Sequence, residues 1–487
     1  MSRVGDRAAI LTLSRLTNYG LMLISPVVLV RLLTVSQFGA YREFLLYVSV
    51  LQSIAVFSIN DSLLYCIPAN PLSRWRTVRQ TAVLIGCSSL ITVLGLALLD
   101  RASGGRIVGA LLVPVCLYTW LSSNLDFWDF YWVATDRPAL IFIYTSCRLA
   151  ARVTVAIVAA ALTHEVRAII WALIALEGLR VFGAAVMMVA ADRGATEPPL
   201  DDPWREQLRY CVPSGLASTL QMLNRNLSSL VVAKALGAVA FAQYSIGRFG
   251  EPVVTTLRNS VSSVVLPEMV RRERDSREEP LALWKRATVV NTILLFPAVV
   301  IVERFAGPLV ETVFGRSYAP AAVVLQIYML VVVRECFDFA PALRALNRTR
   351  PLVTSNIAST LACGIMLAIL IPLGGVAGAM AAVVVGVAVE AVWLGRSAMH
   401  HFGVGIGELI PWASTLRVAV AAAVAAAVLA TSAWLQLFGA AGIALGSIAY
   451  LAVFVLLLLA LRVPEAHLLL SWARRFVPAF ATVCRKA

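Results

Sequence analysis

Apolar stretches long enough to cross a bilayer follow one another along nearly the whole chain, yet several carry arginine and carboxylate in their middles. That feature constrains the fold more than any other. A bilayer core offers the backbone no hydrogen-bond partner, so a crossing segment of this length closes its own bonds as an α-helix. Charge at that depth is costly and normally faces a bundle interior or an aqueous cavity. The span 244–265, YSIGRFGEPVVTTLRNSVSSVV, shows the pattern. It sets Arg248, Glu251, Thr255, Arg258 and Ser262 three or four residues apart, on one helical face. The chain reads as an all-α polytopic membrane transporter with a polar, partly cationic interior.

Composition argues against the soluble classes. Of 487 residues, 60% are hydrophobic and 14% charged, and the mean hydropathy is +0.83, whereas a globular domain carries roughly 25% charged residues. The net charge of +14 does not mark a nucleic-acid binder, because the basic residues sit mostly in short connections between spans. The eight cysteines form no CxxC pair or ligand cluster, and His164, His400, His401 and His467 fall between or after spans. No metal site or cofactor is expected.

The spans are expected near 9–33, 39–67, 77–99, 107–133, 138–162, 167–191, 207–233, 239–268, 283–303, 318–344, 351–371, 375–399, 411–435 and 441–461. Each approaches or exceeds the roughly 20 residues a crossing helix needs. Arg3 and Arg7 precede the first, which reads as an uncleaved helix. With the N-terminus cytoplasmic, one set of connections holds Arg74, Arg76, Arg137, Arg193, Arg205, Arg271, Arg272, Arg348, Arg350 and Arg396. The tail adds Arg474, Arg475, Arg485 and Lys486 on the same side. The opposite connections hold mainly Arg101, Arg106, Arg304 and Arg316, an asymmetry that predicts both termini inside. The longest polar connections, 192–206 and 269–282, are too short for a catalytic domain.

The chain also repeats itself. VRLLTVSQFGAYREF at 30–44 aligns with AKALGAVAFAQYSIG at 233–247, pairing Arg31 with Lys234, Leu33 with Leu236, Phe38 with Phe241 and Tyr41 with Tyr244. Pro68 and Pro267 follow at nearly equal offset, then Arg137-Pro138 and Arg350-Pro351. Three matches in one order predict two six-helix lobes, a construction that often places a site between repeats. The expected organisation is a lobe at 1–191, a linker at 192–206, a second lobe at 207–400, two additional helices at 401–461 and a basic tail at 462–487.

These motifs also carry a family resemblance. LVRLLTVSQFGAYREF at 29–44, its echo through Tyr244, VVLPEMVRR at 264–272 and LNRTRPL at 346–352 resemble the polysaccharide-biosynthesis flippases, often called O-antigen flippases. These belong to the multidrug/oligosaccharidyl-lipid/polysaccharide exporter superfamily. The resemblance covers roughly residues 8–400. It implies two six-helix lobes around a central, often cationic cavity, plus two further helices. It also implies export of an undecaprenyl-diphosphate-linked oligosaccharide, for O-antigen, lipopolysaccharide or exopolysaccharide, across the bacterial inner membrane by alternating access. A monomer working among membrane lipids, beside a polysaccharide polymerase and export machinery, is the implied setting. Drug-exporting relatives share the architecture, so fold alone does not settle the cargo. The alternatives are a multidrug or small-metabolite antiporter and an integral-membrane glycosyltransferase or polymerase. No Walker sequence appears; coupling is expected through a proton or sodium gradient, the membrane potential or substrate supply.

A diphosphate attracts cationic donors, and arginine binds it in charge-assisted, often bidentate fashion. Arg15 in the first span, on a face with Thr12, Tyr19 and Met22, is the leading candidate of the first half. Asp61 stands beside Asn60 toward the end of the second span. Asp126 and Asp129 in the fourth are set to meet polar cargo or a proton, or to pair with Arg148 and Arg152 of the fifth. Nearby Trp128 and Trp132 read as an interfacial belt. In the second half, Arg225 shares a face with Gln221, Ser228 and Ser229. Arg248 is one turn from Glu251, which can neutralise it, and Arg258 deepens the stripe. Arg334 and Asp338 are spaced for an intrahelical pair, with Glu335 pointing elsewhere toward a coupling site. Glu390, and Glu177 with Arg180, read as weaker candidates near an interface.

Overall fold

In the computed structural model, which describes residues 20, 23–69, 71–192, 203–272, 278–348, 350–431 and 439–466, every regular element is a helix. Seven stretches are long and apolar enough to cross a membrane, or eight if one bent pair is joined. Two of the seven, Trp204–Arg271 and Arg350–Phe402, are 68 and 53 residues long. Each holds two spans, because Gly237 (φ 79°) and Gly375 (φ 53°) interrupt the helical backbone inside them. Two further spans, at 112–134 and 321–345, are broken in mid-course, so that each half falls short of the length test.

The helices are numbered in chain order, with the halves of a broken one marked a and b. They are α1 (Leu23–Leu32), α2a (Val35–Val56) and α2b (Leu63–Ala69), α3 (Arg74–Ala102), α4a (Leu112–Ser123) and α4b (Trp128–Ala134). Then come α5 (Pro138–Thr163), α6 (Val166–Asp192), α7 (203–236), α8a (238–247) and α8b (Glu251–Arg272). The chain continues with α9 (Glu278–Phe314), α10a (Ala321–Glu335), α10b (Ala340–Ala345), α11 (350–374) and α12 (376–402). Last are α13 (Trp412–Thr431) and α14 (Gly439–Ala460). They follow the order and positions of the expected spans.

The repeat is visible in backbone detail. Thr34 caps α2a: its side chain accepts from the Gln37 amide at 3.3 Å, and the Gln37 side chain accepts from the Thr34 amide at 3.0 Å. In the alignment Thr34 faces Gly237, so each half breaks its first two helices at the same position, once by a capping box and once by a left-handed glycine. The α5–α6 junction turns at His164 (φ 53°), as α11–α12 turns at Gly375. After α4b and after α10b the chain makes one and the same turn. Asp136 and Asn347 adopt φ of 54° and 52°, and the next amide bonds back to the carbonyl of Trp132 or Leu343. Trp75 stacks on Tyr131 at 5.3 Å, and Trp284 on Phe339 at 4.9 Å. Leu125-Asp126-Phe127 and Phe337-Asp338-Phe339 mark the two breaks, a correspondence the alignment of the first segments did not reach.

The chain packs as two compact units, Met1–Ala242 and Gln243–Ala487. Although α7 opens the second sequence repeat, it packs within the first unit. Gln207 donates to Ser62 and Thr81 at 2.8 and 2.7 Å, and Ser218 meets Ser58 at 3.0 Å. Thr219 bonds the Ser53 carbonyl at 3.3 Å. In the second unit α13 and α14 lie against α9 through Val289, Phe305, Val418, Tyr450 and Phe454. A Cβ built on Gly39 would overlap the Ala238 carbonyl. Gly39→Ala should therefore lower stability by about 1–3 kcal/mol, the usual cost of overpacking, as read from melting in detergent. A melting point equal to that of the wild type would show that the two backbones separate freely here.

Candidate functional site: ion-paired clusters at two helix breaks

Breaking a helix at membrane depth frees carbonyls from their helical partners; buried charge gathers at the α4 and α10 breaks, and in the first unit it meets those carbonyls directly. In the first unit α4 breaks at 124–127, with Leu125 at φ 52°. Arg180 of α6 reaches the freed carbonyls, donating to Leu121 at 2.7 Å, Asn124 at 3.0 Å and Leu125 at 3.1 Å. Its Nε bonds Glu177 at 2.5 Å. Glu177 is 1% exposed and also holds Arg152 at 2.6 Å. Asp126, in the break, takes both guanidinium nitrogens of Arg148 and lies 3.8 Å from Arg180. Asn60, at the break of α2, donates to the Asp126 carbonyl at 3.2 Å. Arg152 also sits over the Tyr118 ring, 5.8 Å from its centroid.

In the second unit α10 breaks at 336–339. Arg258 of α8b binds Glu335 and lies 3.7 Å from Asp338. Arg334 lies 3.5 Å from Glu335 and 3.3 Å from Glu390 of α12. Asp338 restarts the helix by accepting from the Ala340 amide at 3.0 Å, and its carbonyl accepts from Trp284 at 2.7 Å. A cavity of about 10 Å³, enough for one water, touches Asp338, Trp284 and Asn291. Arg248 stands in a third break, between α8a and α8b, bonded to Glu251 at 2.7 and 3.0 Å and placed over Tyr244.

Several expectations are refined by this geometry. Arg148 pairs with Asp126 as expected, but Arg152 pairs with Glu177 and not with Asp129. Glu177 and Arg180, read as peripheral, are central to the first cluster. Their i,i+3 spacing in an apolar helix was the available signal. Arg334 and Asp338 do not pair, because the helix breaks between them and their spacing no longer places them on one face. Glu335 points to Arg258. Trp128 and Trp132 are 4% and 8% exposed and pack with Phe127 and Tyr131, so they form buried core and not a belt. Glu251 does balance Arg248.

Two candidates stand apart from the pairs. Arg225 is exposed inside α7 and has no ion-pair partner among the described residues. Asp61 is partly exposed in the turn Asn60–Ser62, likewise without an ion pair among them. Arg15 lies outside the described residues. No grouping of three His, Cys, Asp or Glu side chains suited to a metal occurs among the described residues.

Residues 136–323 match a family model described as polysaccharide biosynthesis protein. No curated protein matches the sequence. Among solved structures, the lipid II flippase MurJ in an inward closed conformation superposes with a TM-score of 0.67 at 12% identity, over 92% of this chain and 99% of that one. An inward-facing multidrug resistance MATE family transporter of the MOP superfamily gives 0.56 at 14%, over 80% and 94%. The MATE transporter VcmN of Vibrio cholerae gives 0.51 at 13%, over 82% and 98%. The fold is that of these polytopic membrane proteins, and residues 136–323 bear out the resemblance to polysaccharide-biosynthesis proteins read from the sequence.

Proposed function

We propose that this chain, with the fold of the MOP exporters and a polysaccharide-biosynthesis match over residues 136–323, is a flippase for lipid-linked glycans. The cargo is an undecaprenyl-diphosphate-linked oligosaccharide, moved from the cytoplasmic to the outer leaflet of the bacterial inner membrane with both termini cytoplasmic. One observation carries the reading to this class of cargo: Arg225, an exposed guanidinium within an apolar helix and without a carboxylate partner among the described residues. Such a charge is costly against lipid tails and is stable where it meets water or an anion. A diphosphate head group supplies that anion in bidentate form. Arg15 is assigned the same role from the first half. The paired arginines, Arg148, Arg152, Arg248, Arg258 and Arg334, are committed to carboxylates and hold the broken helices in shape.

The reading needs no covalent step; it needs a shielded path for the head group while the polyprenyl tail stays in the bilayer. The test is reconstitution into vesicles with a labelled undecaprenyl-diphosphate glycan and measurement of leaflet exchange. Wild type should exchange the lipid. Arg225→Ala should slow exchange about ten- to a hundredfold, the loss of one or two charge-assisted hydrogen bonds, at unchanged melting temperature. Ion-dependent drug movement with no glycan exchange would sink the proposal.

A further inference from the structure

The two clusters differ in their charge balance. The first sets Arg148, Arg152 and Arg180 against Asp126 and Glu177, with Asp129 near Arg148 and Arg180 but in no ion pair among the described residues. Among the described residues the second sets Arg258 and Arg334 against Glu335, Asp338 and Glu390, one carboxylate in excess. The neighbouring Arg248–Glu251 pair is neutral and does not change the sum. A net negative charge held inside a bilayer is costly, and a proton removes it at the least structural expense.

The geometry singles out which carboxylate is in excess. Glu335 binds Arg258 directly. Asp338 caps α10b through the Ala340 amide, a bond made to a carboxylate oxygen. Glu390 has the weakest attachment. Among the described residues its close cation is Arg334, whose Nη2 stands 3.3 Å away without hydrogen-bond geometry, and both Nε and Nη2 of Arg334 are buried with no hydrogen-bond partner among them. A fully charged carboxylate beside a guanidinium frequently closes two parallel bonds, as Asp126 does with Arg148. Here the fork stays open. The charged groups facing Glu390 are Arg334, Glu335 and Asp338 from α10 and Arg258 from α8b.

We propose that Glu390 is an exchangeable proton site, loaded and released during transport, which couples the cycle to a proton gradient. Its role in transport rests on the flippase reading; the site itself does not. When Glu390 gives up its proton, the excess charge draws on Arg334 and competes with Glu335 for it. That competition tightens the tie between α10 and α12 at the expense of the Arg334–Glu335 contact within α10. The proton thereby biases a packing contact within the second unit.

The test uses the full chain reconstituted in lipid, followed by infrared difference spectroscopy of the carboxylic-acid C=O stretch titrated across neutral pH. Wild type should show a band from Glu390 that grows on acidification. Glu390→Gln, which mimics the protonated side chain and should keep the fold, should lack it, and Asp129→Asn should retain it. A band that survives Glu390→Gln overturns the assignment. So does the absence of any such band from wild type, which needs no variant to be folded. In exchange assays a proton gradient should accelerate wild type and leave Glu390→Gln unaffected. A titrating Glu390 band in protein that moves no glycan lipid supports the proton site and counts against the flippase reading alone.

Discussion

Replacing Arg258 by alanine should cost about 3–5 kcal/mol of stability, the penalty for stranding a buried partner of an ion pair. The guanidinium binds Glu335 and lies 3.7 Å from Asp338, with side chains only 20%, 17% and 11% exposed. Its removal leaves three carboxylates, Glu335, Asp338 and Glu390, to share Arg334. Thermal melting in detergent, followed by tryptophan fluorescence, measures the loss. The double variant Arg258→Ala with Glu335→Ala should recover part of it, because the second change removes the stranded charge and not a second favourable contact. Additive losses in that cycle would mean that the two side chains do not interact.

The second large effect is expected at Arg180. This side chain serves three carbonyls of the broken fourth helix and Glu177 at once. Alanine there leaves Glu177 with Arg152 alone and strips Leu121, Asn124 and Leu125 of a shared donor. A loss of about 3–5 kcal/mol is expected. The more telling variant is Arg180→Lys. It keeps the charge but not the planar fork that reaches several acceptors together, so it should recover less than half of the loss. Full recovery by lysine would reduce the role of Arg180 to charge balance. Limited proteolysis near 124–127 gives an independent readout, since the break should open when its carbonyls lose the donor.

Some of this was legible from residues alone. The capping pair of Thr34 and Gln37 is a local pattern, as is the glycine at 237 in the aligned position. The arginine-proline junctions located the turns after α4b and α10b. The charged stripe beginning at Arg248 correctly found a polar interior. Its pairing was half legible: Glu251 is one turn away and was named, whereas Arg258 finds Glu335 77 residues later. Spacing rules fail for Arg334 and Asp338 for a definite reason. They presume an uninterrupted helix, and α10 breaks between the two residues. Trp128 and Trp132 were misread by the same mechanism, since the short helix α4b turns both rings into the core.

What the sequence determined by itself was therefore the class of structure: helices of bilayer length, repeated in two halves, with charge inside. Those properties follow from the backbone's need to satisfy its own hydrogen bonds in lipid, which each segment meets locally. The tertiary structure decided which charge answers which. Arg180 meets the carbonyls of a different helix, and Arg334 stands between Glu335 and Glu390. A buried charge is satisfied by whatever packing brings within a few ångströms, and that distance is set by the fold and not by position along the chain.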